Sequence, residues 1–428
     1  MSPPTGIVAD HTRTLRVLSL LSYALTALLA YLASFLPLFD SSPLAILDKT
    51  SGTWTSAVAY PLLRWDAFYF GHIAQHGYVY EQQWAFFPGT PLVMRGVAEL
   101  LRFSGVAESG SGWETVLLGG ALAACLCDST TTLYRLSLHH LHSPSLAFLA
   151  ALLSLLPSSP MTLRFAPYSE PFFTLLSYRG MLYCAREQWF GATCAFALAA
   201  AFRSNGIMLG GFILWGLVAE PLLSRRCVSL ANVLYAFLLT LSMAFPFIYH
   251  QYLAYCAFCQ DTISIAPWCT SFPPSIYSYV QARYWGVGFL EYWTLQQLPN
   301  FLLAAPVLIL LLSFCTHYVL HALIPRLRLA LSGKSFNAPI SGPDGSVAPF
   351  LDPSLAPHAI HTLILTLLLL FNSHTQIALR LAASVPLTYW AAARLVLERP
   401  RWSWWWVAWS VVWGAVSVVL WTVFLPPA

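Results

Sequence analysis

Arg64, Trp65 and Asp66 place a cation, an aromatic ring and a carboxylate on consecutive residues, and His72, His76, Tyr78, Tyr80 and Glu81 follow closely. A carboxylate walled by Trp65, Phe68, Tyr69 and Trp84 is suited to holding a sugar, and Glu81 joins the substrate-binding candidates. The same residues have a local use: Asp66 can cap a helix while Arg64 snorkels to headgroups. Arg164-Phe-Ala-Pro-Tyr168-Ser-Glu170-Pro forms a second polar cluster, in which Glu170 could simply start a helix with Pro171 at its first position. Phe202-Arg203-Ser204-Asn205-Gly206 is a third, with a hairpin turn as its plain reading. In the fourth, Asn372-Ser-His374-Thr-Gln376 with Arg380 one turn on, the donors could point at a phosphate, although Arg380 could also pair with a headgroup.

These clusters interrupt an unusually apolar chain. Of 428 residues, 58% are hydrophobic, 15% aromatic and only 9% charged, against about 25% charged in a soluble domain. That composition excludes a disordered chain and a nucleic-acid binder and points to an all-α, polytopic membrane protein. A net charge of +4 is too small to imply a polyanionic partner.

A spanning helix needs about 20 apolar residues. Uninterrupted apolar length predicts eleven spans, near 15–39, 115–138, 144–160, 171–185, 189–205, 206–223, 228–249, 299–324, 357–373, 377–397 and 402–425. The first lacks a small-residue cleavage site and reads as an uncleaved helix. A cytoplasmic N-terminus puts thirteen of the 21 Lys and Arg on the cytoplasmic side. Residues 40–114 and 250–298 then face the other side. The first carries apolar residues at helical spacing and reads as interfacial helices; the second is dense in Tyr and Trp and also hugs the bilayer. Residues 333–357, rich in Gly, Pro and Ser, read as a flexible cytoplasmic connector. The whole chain, 1–428, is read as one membrane-embedded domain.

Four polar clusters on one membrane face describe a pocket for an amphipathic, phosphate-bearing substrate. A transporter of a polyisoprenoid or other lipid-linked substrate is the competing reading, but it predicts two-fold repeats and broken helices, and no repeat is visible. Asp128 lies within a span, where interhelical hydrogen bonding is favoured over an ion-carrying role. Cys256, Cys259 and Cys269 have no His at zinc-finger spacing, which leaves a disulfide or free thiols. No Asp-x-Asp occurs, so no metal and no cofactor is expected. The Trp-rich stretch from Trp402 to Trp413 reads as an interfacial belt without a substrate role.

The sequence from Arg64 to Leu92, RWDAFYFGHIAQHGYVYEQQWAFFPGTPL, resembles the signature of the GPI mannosyltransferase 2 family. APYSEPFF (166–173), FRSNGI (202–207), Pro267-Trp268-Cys269 and HTQIALR (374–380) are similar to the family's later motifs in the same order; the Thr within HTQ and the 333–357 connector depart from its pattern. The resemblance implies a GT-C fold in the endoplasmic-reticulum membrane with a luminal active site. It also implies dolichyl phosphate mannose as donor, a GPI precursor as acceptor, contact with membrane lipids and room for a small membrane subunit. An α-1,6 linkage made from a β-linked donor implies inversion in one displacement, for which one carboxylate base suffices. Asp66 takes that role; Arg64, His374 and Arg380 hold the leaving phosphate with Gln376; Trp65, Tyr168 and Glu170 contact sugar; Arg203 and Asn205 serve either substrate.

Overall fold

The computed structural model describes residues 5–47, 54–105, 112–260, 265–332 and 348–425. Residues 333–347 of the expected connector lie outside them. The described residues contain helices and loops but no strand. We number the principal helices α1 (Thr5–Ala33), α2 (Asp66–His76), α3 (Gly89–Phe103), α4 (Gly112–Cys125), α5 (Thr130–Leu141), α6 (Pro144–Leu153), α7 (Glu170–Ala185), α8 (Trp189–Ala200), α9 (Ser204–Leu223), α10 (Leu230–Phe258), α11 (Ile276–Trp285), α12 (Leu295–Leu331), α13 (Pro353–Phe371), α14 (Ile377–Leu381), α15 (Pro386–Glu398) and α16 (Pro400–Thr422).

Among the described residues seven helical runs are long and apolar enough to cross a membrane: α1 from Gly6, α4 with α5, α9, α10, α12, α13 and α16. The chain is a membrane protein. The other four expected spans are helical but short or divided. Proline explains two of the divisions, because it cannot donate to the preceding turn and bends its neighbour away from helix. Pro157 and Pro160 end the run that α6 begins, and Pro386 separates α14 from α15. The apolar run 115–138 is also interrupted, at 126–129. Asp128 there accepts from the Thr130 N–H (3.0 Å) and hydroxyl (2.7 Å), so it starts α5 rather than bonding across helices.

The largest core lies between α5, α7, α8, α12, α13 and α15, through Leu136, Tyr178, Phe196, Phe314 and Trp390. A second core holds the 60–70 segment against α3, α4 and the end of α16, through Leu63, Phe70, Met94, Leu117, Tyr168 and Trp421. A third joins the 78–87 segment to α10 and α11 through Trp84, Ala254, Trp268 and Val280. Cys259 and Cys269 form a disulfide across the loop between those two helices, and Cys256 is free. The Trp belt divides by face: Trp402, Trp404 and Trp405 are exposed, Trp406 and Trp413 buried.

Candidate functional site: an arginine between two carboxylates

Arg380, on the short helix α14 and itself in the fourth sequence cluster, draws in the other three, two directly and the third through Glu170. Its Nη2 donates to Asp66 Oδ2 at 2.9 Å and its Nε to Glu170 Oε1 at 2.7 Å. The same glutamate oxygen accepts from Arg203 Nη1 at 2.7 Å, and Arg203 also reaches Ser169 Oγ at 3.1 Å. The chain of charges runs Asp66, Arg380, Glu170, Arg203, and the exposures of its members decide what each can touch. The Asp66 side chain is 30% exposed, Arg380 16% and Arg203 18%, while Glu170 is 2% exposed. Asp66 therefore presents the accessible carboxylate, and Glu170 is a buried counter-ion that fixes both guanidinium groups.

The backbone under Asp66 is held just as closely. Tyr168, fully buried, accepts from the Asp66 N–H at 2.9 Å and donates to the Arg64 carbonyl at 3.0 Å, while its ring lies under the Arg380 guanidinium at 4.8 Å. Burial first, and then the Asp66 charge, push its phenol up, so it stays a donor. Between the two clamped residues Trp65 adopts φ 47°, a conformation costly for a side chain of this size, by about 1–3 kcal/mol. Asp66 is the first residue of α2. Its carboxylate points at Arg380 instead of capping the helix.

Arg64 turns the other way. Its guanidinium donates to the carbonyls of Tyr60 (2.7 Å), Leu63 (2.9 Å) and Thr422 (3.0 Å from Nη2, 3.3 Å from Nε), between the rings of Tyr60 and Phe424. It ties the motif to the end of α16, and burial pushes it down to about 10. This corrects the expectation that Arg64 joins Arg380 on one phosphate: the two side chains leave the backbone toward different neighbours. The expected sugar contacts of Tyr168 and Glu170 are revised as well: the Tyr168 hydroxyl is taken up by the backbone of Arg64 and Asp66, and the buried Glu170 carboxylate by Arg203 and Arg380.

The remaining candidates brace loops. Glu81 accepts from Trp268 Nε1 (2.8 Å) and the Tyr284 hydroxyl (3.0 Å), fastening the 265–285 segment to the first motif. His374 donates from Nε2 to the Trp285 carbonyl (2.7 Å) and stacks on Tyr292. Trp84, expected as a wall of the carboxylate, is buried against Tyr78 and His250, whereas Trp65 stays exposed beside Phe424. The Gln376 side chain is half-buried, and neither it nor the buried Asn205 Nδ2 has a hydrogen-bond partner among the described residues. Gln376 is one turn before Arg380, so it can still face a ligand there.

Several supporting residues carried no signal in the sequence. Ser169, Thr422 and Phe424 are ordinary residue types whose role comes from position alone. Gly89 is different: its N–H donates to the Ala201 carbonyl at 2.8 Å, and a Cβ there would lie 2.7 Å from that oxygen. The first motif and the Arg203 turn can meet only because this residue lacks a side chain. Among the described residues no group of three or more His, Cys, Asp or Glu is arranged to hold a metal ion.

Comparison with known proteins covers the same residues. The profile of a family described as mannosyltransferase (PIG-V) matches residues 11–428. GPI mannosyltransferase 2 of Cryptococcus neoformans is 36% identical over 94% of this chain and 95% of its own length. GPI alpha-1,6-mannosyltransferase 2 of Rattus norvegicus is 35% identical over 79% of this chain and 74% of its own. GPI mannosyltransferase 2 of Gibberella zeae is 30% identical over 92% and 93% respectively. No solved structure matches. With the match running through every element that converges on Arg380, the chain belongs to the mannosyltransferase (PIG-V) family.

Proposed function

We propose that this protein transfers the second, α-1,6-linked mannose of the GPI core from dolichyl phosphate mannose to a GPI precursor carrying one mannose. On this reading it works as a single GT-C domain in the endoplasmic-reticulum membrane, with residues 40–114 and 250–298 in the lumen. The observation that carries the chemistry is the pair of Asp66 and Arg380: an accessible carboxylate in contact with a partly accessible guanidinium.

In the resting site Arg380 occupies Asp66. When the donor enters, its phosphate competes for Arg380 Nη2, and the carboxylate turns its lone pairs to the acceptor. Asp66 removes the proton from the acceptor 6-hydroxyl as that oxygen attacks C1; the C1–O bond to phosphate breaks with its electron pair, and the configuration inverts. The phosphate leaves as an anion without a general acid, stabilised by Arg380 from the start of charge development. Glu170 and Arg203 keep Arg380 in place, Tyr168 fixes the Asp66 backbone, and Trp65 offers its ring to a sugar. Gln376 and Asn205 are neutral donors for either substrate. Glu81 and His374 act through the loops they brace, and Arg64 is an anchor. Transfer of labelled mannose from dolichyl phosphate mannose to a one-mannose GPI precursor by the purified protein tests this reading, and failure of the folded protein to do so would refute it.

A further inference from the structure

Beside Arg64, on the side away from Asp66, lies a cavity of about 330 Å³ lined by Ser34, Leu38, Ser41, Tyr60, Arg64 and Thr422 among others. Its size is that of a small-molecule site, roughly 300 Å³ or more. Four N–H bonds of Arg64 end on neutral carbonyl oxygens, which leaves one of its five N–H donors over. Among the described residues it makes no ion pair. Asp40, the carboxylate whose charge it feels, is exposed and bonded to the N–H and hydroxyl of Ser42. Arg64 is thus a buried cation in the cavity lining with no carboxylate in direct contact among the described residues. Leu36, Pro37, Leu38 and Leu44 give the rest of the lining an apolar share, and Ser34 and Ser41 belong to it too. It also opens where two membrane-crossing helices end: Ser34 follows α1, and Thr422 closes α16. Exposed Leu28, Tyr31 and Leu32 on α1, and Phe35 just beyond it, lead up to it. A cation at headgroup height reached along a lipid-facing helix meets a phosphate attached to an acyl chain before it meets a free ion.

We propose that this cavity binds the phosphodiester of an anionic membrane lipid, with Arg64 as its counter-ion, as a site separate from the one around Asp66 and Arg380. The lipid has two sources: a resident bilayer phospholipid, or the acceptor glycolipid held by its own inositol phosphodiester. The second source rests on the proposed function; the site does not.

The test is native mass spectrometry of the full-length protein in detergent, titrated with phosphatidylglycerol or phosphatidylinositol. The wild-type chain retains one phospholipid, and retention falls at least about fivefold both in Arg64→Gln and in Ser41→Trp, which fills the mouth and leaves Arg64 in place. Preference for phosphatidylinositol identifies the acceptor's group; equal retention of the two lipids identifies a bilayer lipid, and both outcomes support the site. Equal retention by wild type and Ser41→Trp overturns it, and displacement of the lipid by millimolar inorganic phosphate overturns the assignment to a lipid. Lipid retention by a protein that proves inactive in mannose transfer would sink the proposed function and leave this site standing.

Discussion

Glu170→Gln separates a buried counter-ion from a residue that touches substrate. Glu170 Oε1 receives Arg203 at 2.7 Å and Arg380 at 2.6 Å with the side chain 2% exposed. Removing one member of such a buried pair typically costs about 3–5 kcal/mol. The amide keeps an acceptor oxygen, and Arg380 keeps Asp66, so we expect a smaller cost, about 2–3 kcal/mol. The purified variant should unfold several degrees below wild type, followed by the fluorescence of its 17 Trp residues. Arg380, relieved of one carboxylate, should close more tightly on Asp66 and resist the incoming phosphate. A shift of about 1.4–2.8 kcal/mol in that competition slows transfer about 10- to 100-fold. Stability and rate both equal to wild type would refute the counter-ion role, and a higher KM for sugar at unchanged stability would return Glu170 to direct contact.

Tyr168→Phe removes the hydroxyl that clamps the strained backbone on both sides of Trp65; we expect a loss of about 1–3 kcal/mol in stability and a lower kcat at unchanged KM, and an altered KM alone would oppose the positioning role. Transfer by the purified enzyme should survive EDTA, because Arg380 stabilises the departing phosphate; activity abolished by EDTA and restored by magnesium or manganese would contradict this. A protease site inserted at position 343 should be cut in sealed microsomes without detergent, as a cytoplasmic connector requires, and cutting only after detergent would reverse the topology.

The sequence revealed the clusters better than it revealed their partners. Charged residues are rare in a chain with 9% of them, so Asp66, Glu170, Arg203 and Arg380 stand out on the cost of placing charge in a membrane alone. What joins Asp66 to Arg380 is a contact across 314 positions, and no local pattern encodes it. The same holds for Arg64 and Thr422, 358 positions apart, which is why adjacency to Asp66 misleadingly suggested a shared ligand. Burial of Glu170 was invisible for another reason: a glutamate before a proline reads the same whether its carboxylate faces solvent or two arginines. Helix existence followed from apolar length, but the breaks at 126–129 and between α14 and α15 depend on side-chain bonding and proline placement that hydropathy averages away.

The measurement closest to the central claim is the rate of mannose transfer by Asp66→Asn, made beside its unfolding midpoint. The amide preserves the shape of the side chain and an acceptor for Arg380 Nη2, yet it cannot take the proton of the acceptor hydroxyl. We expect a folded protein with an unfolding midpoint near wild type and a rate lower by about 10²–10⁴. A folded Asp66→Asn enzyme that transfers mannose at the wild-type rate would contradict the assignment of Asp66 as the base.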